Sequence, residues 1–325
     1  MIKRFALLCV SAFLPIWGIA QIQKTILSAQ VYDYQRNMVY FDCVQTPLIH
    51  QEFHVNPGEI HSYPFDTEQI VAMFINGRTK VLLLPGDSLH AVIRYEGKNV
   101  TSIDFTGTEQ AVFHNRLYRD IERLKRDMRY KTQLLGCVVL DVKPKDRIND
   151  SRLLLDKVKN MIEEVGSACA PSVANYIMAE IESLVYNSFM EYPVMYAETR
   201  KLPVEKQEIG DYWKLMDGYV LRKDAASLRV PEYAGLLMRY CFYRNEYQAR
   251  ERGEDYKIPD VFEGMYKELA SFYEGELRDF VLYTLLVNFI RNGKEIERAD
   301  VLVKDYKERY NINKEHMHIL DNLLQ

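Results

Sequence analysis

The spacing of apolar residues changes once along the chain, near Thr106, and that change limits the folds open to it. Before it the period is two. Ser88–Tyr95 puts Leu89, Ala91 and Ile93 on one face and His90, Val92 and Arg94 on the other, and Val100–Phe105 puts Ile103 and Phe105 on one face. A strand with one buried side requires this alternation. Val81–Leu84 is a short apolar run, and Pro85-Gly86 divides it from Ser88–Tyr95. Two such runs split by a Pro-Gly turn read as an antiparallel pair. After Thr106 the period becomes helical: Phe113, Leu117, Ile121, Leu124 and Met128 are four, four, three and four residues apart. Thr106-Gly107-Thr108-Glu109 fits a capping box at the start of that helix.

The same reading extends both ways. Ile26–Tyr34, Met38–Val44, Leu48–Val55, Ile60–Phe65 and Ile70–Ile75 read as further strands, and Asn76-Gly77 as a hairpin turn. Eight short strands at this spacing predict a small antiparallel β-sandwich or barrel over residues 21–107. Residues 108–325 predict an all-α domain. Its helices are expected at Glu109–Lys131, Asn149–Gly166, Pro171–Glu191, Val204–Arg222, Pro231–Arg252, Pro259–Tyr273, Gly275–Asn292, Lys294–Tyr310 and Lys314–Leu324, with Leu134–Asp146 an irregular linker. The fold class is therefore α+β, sandwich first and helices after. No 34-residue repeat is present, so a regular helical solenoid is not expected.

Residues 1–20 read as a signal peptide. Lys3 and Arg4 precede an apolar stretch, Phe5–Ile16, and Gly18-Ile19-Ala20 is a small-x-small cleavage site before Gln21. Export to the periplasm follows as an expectation, and no later stretch is apolar enough to predict a transmembrane span. Export permits disulfides. Cys43, Cys137, Cys169 and Cys241 follow the signal, and no two form a C-x-x-C pair. Three pairings and four free thiols all stay open. The balance of 42 basic and 46 acidic residues, −4 overall, gives no electrostatic case for nucleic acid.

Candidate chemistry is sparse. His50, Glu52 and His54 would share one face of a strand, with His61 close by, which invites a zinc reading. An exposed polar face over inward Ile49 and Phe53 explains the same pattern. Arg116, Arg119, Arg123, Lys125, Arg126, Arg129 and Lys131 alternate with acids, as a solvated helix face does. Glu180 and Glu182 fit an ordinary helix surface, and His316 and His318 a solvated terminal helix. His114 reads as a boundary residue of the first helix. Ser167 lacks the second glycine of a nucleophile elbow and follows a helix. The sequence has no phosphate loop or dinucleotide fingerprint, and no cofactor is expected.

Leu82-Leu83-Leu84-Pro85-Gly86-Asp87-Ser88-Leu89, then Ile103-Asp104-Phe105-Thr106-Gly107, then Asn115-Arg116-Leu117-Tyr118 form an ordered set of motifs. They resemble the N-terminal region of exported TlpA/ResA-like thiol-disulfide oxidoreductases of Bacteroidetes. There, an L-x-P-G-D-S turn and an F-(S/T)-G followed by N-x-L/Y belong to a β-rich domain that precedes a helical region and a thioredoxin fold. The family's catalytic W-C-x-x-C has no counterpart in this sequence, so no catalytic residue carries over. The resemblance implies a periplasmic, non-catalytic binding or docking module, with a thioredoxin-fold protein or another periplasmic protein as partner. The alternative is the regulatory or substrate-binding half of a split oxidoreductase. The expected surface lies where the strands meet the first helices, at Asp87, Arg94, His114, Arg116 and Tyr118.

Overall fold

The computed structural model describes residues 24–54, 56–128, 142–292 and 296–325. The signal-peptide reading, Cys137 and most of the expected linker lie outside the described residues. Eight strands form the first part: β1 (Thr25–Tyr32), β2 (Met38–Cys43), β3 (His50–His54), β4 (Ile60–Phe65), β5 (Val71–Ile75), β6 (Thr79–Leu83), β7 (Ser88–Glu96) and β8 (Asn99–Gly107). They make two four-stranded sheets, ordered β4-β1-β7-β8 and β3-β2-β5-β6. Leu27, Ala29, Leu89, Ala91 and Ile93 of the first sheet pack against Val39, Phe41, Met73, Ile75, Val81 and Leu83 of the second, giving one apolar sandwich core. Each strand sends alternate side chains into it, as the period of two requires.

Three local expectations change. Neighbouring strands are antiparallel except β1 and β7, which run parallel from Ile26↔Ser88 to Tyr32↔Arg94. Second, β6 and β7 are not a pair. The Pro85-Gly86 turn carries the chain from one sheet to the other, and β6 pairs with β5 through the Asn76-Gly77 hairpin. Both hairpin residues have positive φ, 51° and 61°, as a type I′ turn needs. Third, no capping box forms. β8 continues through Thr106, the N-cap is Thr108, and its side chain makes no cap bond. Its hydroxyl instead accepts from the Ser88 amide at 3.4 Å.

The helical part comprises α1 (Glu109–Asp127), α2 (Pro144–Val165), α3 (Pro171–Arg200), α4 (Pro231–Glu251), α5 (Phe262–Phe272), α6 (Gly275–Arg291), α7 (Ile296–Arg309) and α8 (Lys314–Leu323). Proline at the first position of α2, α3 and α4 needs no amide bond there. α2 thus begins inside the stretch expected to be linker, and Pro259 falls before α5 rather than in it. α3 packs between α2 and α4, and α6 packs on α4, α5, α7 and α8. Both central helices are buried around most of their circumference, so neither has a polar stripe. α3 continues past Glu191 and through Pro193 to Arg200.

The helix expected at Val204–Arg222 is absent. That stretch holds only short 3-10 turns at Val204–Lys206 and Tyr212–Lys214. Glu208, Gly210 and Gly218 all have positive φ, which an α-helix cannot contain. Tertiary contacts hold the segment instead. Arg222 donates from Nε and Nη2 to the two Glu182 oxygens at 2.6 and 2.8 Å, and its amide donates to the Tyr233 hydroxyl at 2.7 Å.

The second sheet joins the two parts. β6 is buried at every position and β5 at all but Phe74. Their inner side chains enter the sandwich, while Ile70, Ala72 and Leu82 enter the helical core. A sheet covered on both faces loses its polar alternation, which is why Val81–Leu84 reads as a plain apolar run.

Candidate functional site

The edge of β6 is closed by a side chain. Asn115 of α1 accepts from the Leu82 amide at 2.9 Å and donates to the Leu82 carbonyl at 2.8 Å, as another strand would. This places α1 beside β6, and one turn further along it Tyr118 points to the same side. Lys80, two residues before Leu82, shares Leu82's helix-facing side of the strand. Across the gap, α3 supplies Glu180.

These three groups meet at the floor of a cleft of about 600 Å³ between the sandwich and the helices. Lys80 Nζ lies 2.9 Å from Glu180 Oε2, and the Tyr118 hydroxyl donates to the Glu180 oxygens at 3.0 and 3.1 Å. The Lys80 ammonium also sits 5.3 Å from the centre of the Tyr176 ring and 3.8 Å from Glu232. Only 8% of the Lys80 side chain and 13% of the Glu180 side chain are exposed. Arg78, Arg119, Glu122, Lys125, Asn187 and Glu191 line the walls. Lys125 is itself buried and paired with Glu122 at 2.6 Å. Asn187 Oδ1 is buried with no donor among the described residues.

The charge states at the floor are fixed. Burial works to lower the Lys80 pKa, but Glu180, then Tyr176 and Tyr118, outweigh it and hold the ammonium well above its ordinary range. Burial works to raise Glu180, and Lys80 and Lys125 outweigh it, so the carboxylate stays below its usual value. Burial, reinforced by the Glu180 charge, pushes Tyr118 well up. Near neutral pH the cluster is therefore ammonium, carboxylate and phenol.

Of the five residues expected at this junction, Tyr118 alone lines the cleft. Asp87 is buried and closes the Pro85-Gly86 turn by accepting from the Leu84 amide at 2.7 Å. Burial raises its pKa against the opposing bond from Leu84. His114 is buried, and its Nε2 accepts from the Ala170 amide at 3.1 Å, anchoring the start of α3. Burial lowers its pKa, and Nδ1 has no partner among the described residues. Arg94 lies on the sandwich surface, 4.4 Å over the Tyr32 ring. Arg116 is exposed and belongs to a separate trench beside β8. Gly107 completes the motif set: a Cβ there would lie 2.0 Å from the Ser88 carbonyl oxygen. Asp87, Gly107 and Asn115 thus fasten β6, β7, β8 and α1 together.

His50, Glu52 and His54 do share a face of β3, beside Asp42 of β2. His50 Nδ1 is 2.6 Å from Asp42, and both histidines lie 3.3–3.4 Å from Glu52. His61 belongs to β4 in the other sheet and packs its ring 5.0 Å from Phe53. Among the described residues no group of three or more His, Cys, Asp or Glu is arranged to hold a metal ion.

A second cleft, of about 450 Å³, opens on the other side of Phe74, which lines both. Gln45 bridges the two parts there, donating to the Arg229 carbonyl at 2.9 Å and accepting from the Ala72 amide at 3.0 Å. His316 lines this cleft and is not solvated. It stacks on Tyr283 with ring centres 3.8 Å apart, and its Nδ1 is 3.3 Å from Asp279. Cys43 also lines it, and Cys43, Cys169 and Cys241 are free, buried thiols. Burial pushes all three up, Cys241 to about 12.

Sequence reasoning did not find Lys80, Glu180 or Asn187. Glu180 and Glu182, expected on a helix surface, are both largely enclosed and paired. One signal was available: a lysine in a strand otherwise covered on both faces needs a buried carboxylate partner.

Fold and site together define an α+β protein with a two-sheet sandwich, a helical part and a charged cleft at their junction. No protein-family model matches the chain, and neither a curated protein nor a solved structure is significantly similar to it. No described helix is long and apolar enough to cross a membrane.

Proposed function

We propose that the chain is an exported, non-catalytic binding module that holds a ligand or partner segment in the cleft between sandwich and helices. The observation that carries this reading is the Lys80–Glu180–Tyr118 cluster. A general acid or base works best with a pKa near the operating pH, and all three groups are held away from neutrality, in the states that suit fixed hydrogen bonding. The thiols support the same reading. Thiolate is the reactive form of cysteine, and Cys43, Cys169 and Cys241 are buried and biased toward the thiol.

The walls suggest the ligand chemistry. Asn187 Oδ1 asks for an N–H or O–H donor, while Arg78 and Arg119 offer guanidinium groups to a carboxylate. A free amino acid or a short peptide carries both. The thioredoxin-fold partner implied by the motif resemblance would dock without a disulfide to the three described thiols.

Differential scanning fluorimetry with amino acids, dipeptides and dicarboxylates tests the proposal. A compound that raises the melting temperature of the natural chain, and does so less in Arg78→Ala and Asn187→Ala, is the expected result. Stabilisation that neither substitution alters would contradict it, as would reductase or hydrolase turnover by the pure chain.

A further inference from the structure

Among the described residues β8 is the last strand of its sheet, paired only with β7. In an antiparallel ladder successive residues alternate between bonding the neighbour and pointing away from it, so half of its N–H and C=O groups face outward. Among the described residues no main-chain bond outside the β7 ladder reaches residues 100–107. The inward-pointing side chain Ile103 is only partly covered. A trench of about 540 Å³ runs along this edge, lined by every residue from 100 to 105, and so by both faces of the strand.

The opposite wall is α1, which contributes Arg116, Arg119, Arg123 and Arg126. Spacings of three, four and three keep all four on one side of a helix. Two carboxylates, Asp104 and Asp120, share the trench, and Asp120 is taken by Arg123 at 3.2 Å. The arginines are crowded: burial and then the nearby Arg126 lower the pKa of Arg119, against Glu122. Exposed edges are commonly blunted by charge. Here two copies of the chain meeting edge to edge would bring like charges together, whereas a strand of opposite charge would not.

We propose that the trench between β8 and α1 receives an extended acidic segment of a partner polypeptide, paired main chain to main chain with β8 and held through its carboxylates by the arginine row. Strand addition to a free edge gives affinity through the ladder and selectivity through alternate side chains. In such a segment every second side chain would face α1. The surface is separate from the junction cleft, apart from Arg119, and does not depend on the reading given to that cleft.

Fluorescence anisotropy on the full chain, at about 20 mM salt so that screening is weak, tests this. The probe is a fluorescein-labelled decapeptide of alternating glutamate and valine. Two controls carry N-methyl groups on every second residue, one in each frame, and a third replaces glutamate with lysine. The natural chain should bind the acidic peptide. The Arg116→Glu/Arg123→Glu double variant, checked for an unchanged melting temperature, should bind it at least about tenfold more weakly. One N-methylated frame should lose binding by a similar factor, and the lysine peptide should not bind. Absence of binding by the acidic peptide would overturn the proposal. So would equal binding by the double variant, or equal binding of both N-methylated peptides, which would make the trench a site for any polyanion.

Discussion

Inside the sandwich the interior is hydrocarbon almost throughout, and its tyrosine hydroxyl, on Tyr95, has no partner among the described residues. In the helical part most buried tyrosine hydroxyls are connectors, Tyr219 being an exception with no partner among the described residues. Tyr212 donates to the Met190 carbonyl at 2.6 Å, Tyr243 to Tyr212 at 2.7 Å, Tyr273 to Leu237 at 2.6 Å, and Tyr192 to Val142 at 2.9 Å. Tyr118 and Tyr306 donate to the carboxylates of Glu180 and Asp279. The difference follows from what each space has to connect. A sheet ladder consumes its own amides and carbonyls, so the space between sheets can be apolar. Between helices a buried tyrosine brings a large apolar ring with one donor at its tip, which reaches a carbonyl inside an α-helix, as at Met190 and Leu237, or outside one, as at Val142 and Tyr212. Tyr118, Tyr192, Tyr212, Tyr243, Tyr273 and Tyr306 therefore have a structural use.

The contrast can be tested by substitution. Lys80→Met should have the largest effect, a loss of about 3–5 kcal/mol in urea unfolding, because it leaves Glu180 buried without its counter-charge. Adding Glu180→Met should restore much of that loss; a double variant as unstable as the single one would mean the pair is not the cause. Phe41→Ala, in the middle of the sandwich, should cost about 3–5 kcal/mol through lost contacts and a cavity, without altering a ligand's effect on melting temperature. Asn115→Ala should cost about 1–3 kcal/mol, since the Leu82 amide and carbonyl lose their partner. Hydrogen exchange should speed up at the Leu82 amide in that variant before it does in the sandwich core. The smallest effect, about 1 kcal/mol, is expected for Tyr273→Phe. A neutral result there would mean that the hydroxyls of the helical part are not connectors.

What the sequence made legible divides along the same line. The strands could be read because one-sided burial writes itself as alternation, and Asn76-Gly77 named its own turn. The sheet change at Pro85-Gly86 could not, since a turn signal does not say which sheet the next strand joins, and the parallel β1–β7 pairing joins strands more than fifty residues apart. The expected helix at 204–222 rested on apolar spacing, and positive φ at Glu208, Gly210 and Gly218 overrode it. At the candidate site, Tyr118 was visible as a residue at the boundary. Lys80 and Glu180 stand a hundred residues apart, and only the packing of α3 against β6 and α1 brings them together. Asp87 and Asn115 stood out as motif residues, and their hydrogen bonds to Leu84 and Leu82 give them a structural use.

The charge state of Lys80 decides what the cleft can do. Because its folded pKa lies above the ordinary 10.5, the ion pair contributes stability that is fully present below that pH and is lost as pH rises through the folded value. Carbon-13 labelling of the lysine side chains, with Lys80 assigned by the Lys80→Met variant, follows its Cε resonance directly through an alkaline titration. The prediction is that Lys80 keeps its protonated shift after the surface lysines have titrated. A Lys80 that loses its proton with them, or before them, would contradict the fixed cluster and reopen proton transfer in the cleft.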